Sequence, residues 1–345
     1  MKAIVYSTTG SSSVLSLVDR EVGTPGPGEV RVRVAISGVN PTDWKARSGK
    51  GIAFPEVVPN QDGAGIVDEV GEGVTDLAVG DRVWLCLAAY ERPTGTAQEF
   101  TVLPAERVVR LPDGIDLDLA ASLGVPAMTA HRALTVHENG PSRLAPDALA
   151  GRVVLVQGGA GAVGHAAIQF AVWAGATVIA TVSSDAKAEL ARAAGAHHIV
   201  QYPDDALAER IREIAPDGVD QIVEVSPAQN AALDVEVIAN HGSIAYYANN
   251  NGDEFTAPIN PSYAKNVRWQ GLLIYTVGSA AQLAAAEDIT AALRDGALPV
   301  GESAGLPLTW FPLEETAAAH DAVENGATGK VLIRVNDELA GLSGR

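Results

Sequence analysis

The sequence predicts a two-domain α/β protein in which a compact β domain precedes a doubly wound parallel sheet. Three observations carry that expectation. Residues 1 to about 127 hold short runs that alternate apolar and polar residues between Gly/Pro turns. From about 128 to 276, apolar runs alternate with Ala-rich helical stretches, the pattern of parallel βα units. Within that second stretch, "VVLVQGGAGAVGHAAIQFAVWAGA" at 153–176 passes from an apolar strand through a glycine-rich turn into a helix.

The β domain is expected to use "KAIVYS", "EVRVRVAIS", "AGIVDEVG", "DRVWLCLA" and "EFTVL" as strands, with "PGPG" and "GEGVTDLAVGD" as turns. The segment "HENGPSRLAPDALAG" is a long loop leading to the second sheet. That sheet is expected to contain "VVLVQ", "TVIATV", "HIVQY", "DQIVEV", "SIAYYA" and "GLLIY", with helices such as "GHAAIQFAVWAG" and "SDAKAELARAAG" between them. Six strands complete a nucleotide-type sheet at Tyr275. The tail is therefore assigned back to the β domain: the helix "AAQLAAAEDITAALRDG", the strand "LPLTWFPL", the helix "EETAAAHDAVENG" and the strand "KVLIRV". The expected domains are 1–127 with 277–345, and 128–276.

Composition narrows the partners. With 24 basic against 42 acidic residues in 345, the formal charge is −18, which argues against nucleic acid or an anionic membrane as a partner. Cys86 is the single cysteine, so no intrachain disulfide forms. The N-terminus lacks the apolar core of a signal peptide, and no apolar run reaches the ~18 residues of a membrane span. A cytoplasmic location is the expectation.

Gly159, Gly161 and Gly164 fit G-x-G-x-x-G, with Gly158 adding an overlapping register and Ala160, Ala162 and Val163 between them. The first glycine is expected to make the tight turn, the second to let a pyrophosphate approach, and the third to let helix and strand pack closely. A dinucleotide then sits on the helix N-terminus, which offers free N–H groups and a positive dipole. The second strand ends near Val182 and is followed by Ser183 and Ser184, small hydroxyls that leave room for a 2′-phosphate, with Lys187 one turn on. This favours NADP over NAD. Asp185 stands as either an NAD-type acid or the N-cap of the next helix, and Lys187 as either a phosphate ligand or a solvated charge.

Taken with the glycine turn, "AISGVNPTDWKARSG" and "PNQDGAGIVDEVGEGV" resemble the medium-chain dehydrogenase/reductase superfamily, and within it the zinc-free quinone oxidoreductases related to zeta-crystallin. The resemblance runs over essentially the whole chain and implies a GroES-like β catalytic domain plus a Rossmann domain. In the superfamily's zinc alcohol dehydrogenases, the position of Asn40 is a ligating cysteine and that of Gln61 a ligating histidine. The resemblance therefore implies no metal here, and hydride addition to a conjugated acceptor rather than simple alcohol oxidation.

The resemblance also nominates residues. It sets Asn40, Asp43, Trp44 and Arg47 beside the nicotinamide, with Asn40 bonding substrate or ribose, or serving only as a turn residue before Pro41. It makes Gln61 a polar wall of the pocket. Thr129 and Tyr202 are expected against the cofactor, with helix packing and a plain strand-end aromatic as their alternatives. Ser226, Tyr246, Tyr247, Ala248, Leu273, Ile274 and Tyr275 fall at strand ends that border the cofactor crevice. Lys330, in "ATGKVLIRV", is expected to reach the phosphates. Two positions depart from the family pattern: Ala162 replaces a glycine, and Gly51 stands where many relatives carry a tyrosine donor.

The expected activity is NADPH-dependent, zinc-independent reduction of quinones or related conjugated carbonyls. The alternatives are a 2-enal or enoyl-thioester reductase, and a non-catalytic NADPH-binding sensor or structural protein. Relatives usually form dimers through their nucleotide domains, which implies a homodimer.

Overall fold

The strand Glu29–Val39, "EVRVRVAISGV", turns Val30, Val32 and Val34 into the core of the first sheet and leaves Arg31 and Arg33 half-buried on the other face. That alternation is the period-two signature of a strand with one face in the core. The computed structural model describes residues 1–49, 51–203 and 206–340. The chain divides into two units, Met1–Val125 with Leu308–Arg345, and Pro126–Pro307.

In the first unit, strands run in the order Leu308–Pro312, Lys330–Arg334, Glu29–Val39, Asp62–Val70, Arg82–Leu85 and Val108–Arg110, with Phe100–Pro104 also pairing Glu29–Val39. Only the first of these pairings is parallel. The tail strand Lys330–Arg334 pairs directly with Ile36–Val39. The chain returns later than the sequence suggests, at 308 rather than 277. The helix Ser279–Arg294 stays with the second unit because its buried Asp288 ties that unit together. Asp288 accepts from Arg143 Nε at 2.8 Å and Leu144 N at 2.7 Å, and bonds His131 Nε2 at 2.7 Å.

The second unit is a six-stranded parallel sheet in the order His198–Gln201, Thr177–Val182, Val153–Val156, Val219–Glu224, Ile238–Tyr246 and Arg268–Gly271. The strand order reverses between Val153–Val156 and Val219–Glu224, so the ligand crevice of such a sheet lies outside the C-terminal ends of those strands. Val154, Leu155, Val156, Ile179, Ala180, Ile222 and Val223 are buried on both faces, which explains their unbroken apolar runs. The sixth strand is Arg268–Gly271 rather than "GLLIY", and Ile274–Thr276 forms a turn of 3₁₀ helix. Its neighbour ends at Tyr246, opposite Gly271, so the residues beyond have no strand to pair with. No helix among the described residues is long and apolar enough to cross a membrane.

Burial favours the neutral form of Asp288, but the bonds from His131, Arg143 and Leu144 N outweigh it and hold the carboxyl down to about 2. A depressed folded-state pKa contributes stability that is present above the unfolded value and lost as pH falls through the folded one. Asp288→Asn is expected to lower stability by roughly 2–3 kcal/mol near neutral pH. The gap between variant and parent in urea denaturation should close as pH falls from about 4 to about 2.

Candidate active site

The first unit gathers Asn40, Asp62 and Lys330 because three adjacent strands end together. Val331 pairs with Val39, and Gly38 pairs with Asp62, so the residues flanking those pairs share one sheet end. Asp62 is fully buried, and its Oδ2 accepts from Asn40 Nδ2 at 2.6 Å and Lys330 Nζ at 3.2 Å. Lys330 Nζ also donates to Asn40 Oδ1 at 2.7 Å. Asp62 Oδ1 accepts from Val125 N at 2.8 Å. Gly124 makes that last bond possible: a Cβ there would lie 2.0 Å from Asp62 Oδ1. Gly38 is held likewise, since its Cβ would lie 2.4 Å from Ala121 O.

Asn40 precedes the helix Pro41–Ser48, where Pro41 occupies a first-turn position that needs no N–H partner. Asp43 Oδ2 accepts from Asn40 N at 2.7 Å and its Oδ1 from Gln61 N at 3.1 Å. Burial, then the Asp62 charge, pushes the Asp43 carboxyl up to about 8 against the pull of these donors and of Lys330. Burial also raises Asp62, opposed chiefly by Lys330 and Asn40. Gln61 Oε1 accepts from Ala89 N at 3.1 Å. Trp44 is half-buried, with the Lys45 ammonium 5.9 Å from its ring centroid.

Two expectations are corrected here. Lys330, expected at the phosphates, is 2% exposed and committed to Asn40 and Asp62, because an ammonium withdrawn from water needs a counterion beside it. Arg47, expected on the cofactor, is also buried and pairs with Glu324 Oε2 at 2.6 Å. Asp62 itself was missed by the sequence reading. Its signal was a carboxylate between Gln61 and Gly63 at the head of an apolar strand, but its cation lies 268 residues away.

In the second unit, the glycine turn follows Val153–Val156 and opens the helix Ala162–Trp173, with Gly161 as N-cap. Gly158, not Gly159, carries the positive φ of the turn, at 71°. Gly159 is required by packing, since its Cβ would lie 2.9 Å from Ala180 Cβ. Gly164 is required more strictly, since its Cβ would lie 2.4 Å from Gly158 O. Gly161 is exposed, and an added Cβ there would meet only Gly158 O, at an ordinary 3.5 Å. Its outer side is free for a ligand. No side chain caps this helix, so its first-turn N–H groups at Ala162, Val163 and Gly164, beside buried Ala160, are not taken by a capping side chain.

Ser184 is the N-cap of the helix Asp185–Ala193, accepting from Lys187 N at 3.4 Å. Asp185 is therefore not the cap; it opens the first turn, and its Oδ1 accepts from Gln201 Nε2 at 2.8 Å. Lys187 Nζ donates to Ser183 Oγ at 3.1 Å, which brings an ammonium and a hydroxyl to the end of the second strand. Tyr202 N donates to Val182 O at 2.9 Å, so Tyr202 flanks the same end.

At the other strand ends, the Ser226 hydroxyl is already engaged, donating to Asn250 O at 2.9 Å and accepting from Asn251 Nδ2 at 2.8 Å. Tyr246 stacks edge-on against Phe255 at 5.5 Å, and Tyr247 N donates to Glu224 O at 3.1 Å, with Ala248 next in the chain. Leu273 is 55% exposed, Ile274 is buried, and Tyr275 is half-buried in the 3₁₀ turn. Thr129 is buried on the helix Gly124–Leu134.

The family descriptions "Alcohol dehydrogenase GroES-like domain" and "Zinc-binding dehydrogenase" match residues 26–113 and 162–291. A 2-haloacrylate reductase from Burkholderia sp is 34% identical over 260 residues, covering 73% of this chain and 74% of that protein. A quinone oxidoreductase from Lama guanicoe is 30% identical over 342 residues, covering 96% and 97%. Among solved structures, an NAD-dependent alcohol dehydrogenase superposes with TM-score 0.84 at 28% identity, covering 97% of this chain and 100% of that one. A mycobacterial protein complexed with NADPH superposes with TM-score 0.82 at 29% identity, covering 97% and 100%.

The first-unit residues do not fit a zinc ion. Both ends of the Asn40 amide are occupied, Gln61 Oε1 is taken by Ala89 N, and the Lys330 ammonium would repel a second cation. Burial pushes the Cys86 thiol up to about 12, far from a ligating thiolate. Among the described residues, no three or more His, Cys, Asp or Glu side chains are grouped to hold a metal. The matched domains, the full-length similarity and the two-unit fold establish the chain as an oxidoreductase of the medium-chain dehydrogenase/reductase superfamily, in its quinone oxidoreductase-like family.

Proposed function

We propose that the protein is an NADPH-dependent, zinc-independent reductase of quinones or related conjugated carbonyls. The observation that carries this reading is the Lys330 ammonium bonded to Asp62 and to Asn40, the residue that the resemblance puts where zinc relatives carry a ligating cysteine. When bound, the nicotinamide supplies hydride; the protein's part is orientation and electrostatics. The uncapped first turn after Gly161 holds the pyrophosphate. Ser183 and Lys187 hold the 2′-phosphate, Ser183 as a neutral donor and Lys187 as the countercharge.

Asn40 serves the substrate side. Its Oδ1 faces Lys330 and one Nδ2 hydrogen goes to Asp62, so the amide is held in one orientation, with no second acceptor for its Nδ2 hydrogens among the described residues. A conjugated acceptor spreads negative charge onto a distant oxygen, and a neutral donor there suffices without a Lewis acid. The NADPH complex of the mycobacterial neighbour supports the choice of nucleotide. A second reading, reduction of an electron-poor alkene acid, is favoured by the 34% identity to a 2-haloacrylate reductase.

NADPH oxidation by 1,4-benzoquinone or 9,10-phenanthrenequinone is expected to persist in EDTA; a requirement for added zinc would overturn the metal-free mechanism. Side-by-side kinetics with quinones, 2-hexenal, crotonyl-CoA and 2-chloroacrylate separate the two readings, and tight NADPH binding without turnover on any would point to a sensor.

Lys187→Ala is expected to raise the KM for NADPH about ten-fold or more while changing that for NADH little, as loss of one charge-assisted contact implies. Equal effects on both nucleotides would remove Lys187 from the phosphate site. Lys330→Met is expected to cost roughly 3 kcal/mol in stability by stranding the buried Asp62 charge, and to depress kcat through the freed Asn40 amide. Thermal melts and steady-state kinetics on the same preparation test both effects.

A further inference from the structure

Beneath the glycine turn lies a second buried acidic pair that the nucleotide and substrate roles leave unused. Glu224, the last residue of Val219–Glu224, and Asp234, on the helix Pro227–Val237, are both fully buried. The two carboxyl groups are close enough for the Glu224 charge to act on Asp234. Asp234 Oδ1 accepts from Gln157 Nε2 at 3.1 Å, and Gln157 Oε1 accepts from the Thr181 hydroxyl at 2.5 Å. Thr181 Oγ1 in turn accepts from Gly158 N at 3.3 Å. At the other end, Glu224 accepts from Ser226 N and from Asn230 Nδ2.

Every bond in this chain donates in one direction, from the Gly158 N–H towards Glu224. The link between the two carboxyls continues it only if Asp234 carries a proton on Oδ2, the one buried Asp234 oxygen at which no N–H or hydroxyl is aimed. We propose that Asp234 is a protonated positioning residue: its carboxylic acid donates to Glu224 and locks the Gly158 turn to the Ser226 loop, so that one buried proton holds both sides of the dinucleotide crevice.

The surroundings agree. The side chains bonded along this chain, Gln157 and Thr181 from other elements and Asn230 from Asp234's own helix, are uncharged, and the titratable group facing Glu224 from the end of the next strand is the Tyr247 phenol. One anion on Glu224 is stabilised by N–H donors, whereas a second on Asp234 would share the same dry site with it. Burial and the Glu224 charge both raise the Asp234 carboxyl well above the ordinary carboxylate range. Removing that proton opposes two charges and breaks the chain at its centre.

The consequence for affinity rests on the nucleotide reading above, while the proton itself does not. Asp234→Asn keeps an acceptor for Gln157 and a donor for Glu224, so it mimics the protonated state at every pH. NADPH affinity at neutral pH, followed by fluorescence titration, is expected to agree within about two-fold between the parent and Asp234→Asn. Asp234→Ala should lose about ten-fold already at pH 7. An Asp234→Asn variant as weak as Asp234→Ala at pH 7, or an Asp234→Ala variant as tight as the parent, would overturn the proposal.

Infrared difference spectra without nucleotide supply an independent arm. The parent minus Asp234→Asn should show the carbonyl stretch of a protonated carboxylic acid at neutral pH. Its absence overturns the proposal, whereas its presence in a protein that binds no NADPH would overturn only the nucleotide reading.

Discussion

The ammonium of Lys330 and the carboxylate of Asp62 are withdrawn from water together, and the end of the first sheet is arranged around them. Desolvating either charge alone costs several kcal/mol, so the pair holds only if each finds further partners. Asn40 bonds both, Val125 N satisfies the remaining Asp62 oxygen, and Gly38 and Gly124 vacate the space these contacts need. The same arrangement orients the Asn40 amide, linking the stability of the β unit to the group proposed to meet the substrate.

Asp43 adds a second layer. Its two oxygens accept from the backbone of Asn40 and Gln61, so it clamps the start of one helix to the segment that leads into the Asp62 strand. Its raised pKa follows from sharing a dry site with Asp62. The two carboxyls therefore compete for one cation, and Asp62, in direct contact with Lys330, takes it. Gln61 is held from both ends of its residue, its N–H donating to Asp43 and its side-chain oxygen accepting from Ala89 N.

The nucleotide unit follows a different logic, in which backbone geometry does most of the work. Gly158 adopts a left-handed conformation, Gly159 and Gly164 allow contacts a Cβ would forbid, and Gly161 is required by nothing inside the protein. A glycine that the chain's own packing does not need is the mark of a surface that something else approaches. The hydrogen bond from Gly158 N to Thr181 ties this turn to the polar interior, so the cradle is supported from below as well as shaped by its own residues.

Local pattern alone determined much of this. Alternating Val in Glu29–Val39, the βα rhythm of 153–246 and the spacing of Gly159, Gly161 and Gly164 depend on contacts within a few residues, and the structure retains them. The errors arose where distant partners decide. The sixth strand shifts to Arg268–Gly271 because its neighbour ends at Tyr246, and the helix Ser279–Arg294 remains in the second unit because Asp288 meets His131 and Arg143. Asp185 loses the cap to Ser184, one residue earlier, a choice made by local geometry too fine for residue type to settle. Sequence assigns Lys330 to the phosphates and Arg47 to the nicotinamide, and only the tertiary structure supplies Asp62 and Glu324 as their partners. Sequence by itself specifies which segments can form strands, turns and caps, because those preferences are local. The destination of each buried charge is a tertiary decision, because a charge is neutralised by whatever the fold brings within a few ångströms, however far away it lies in the chain.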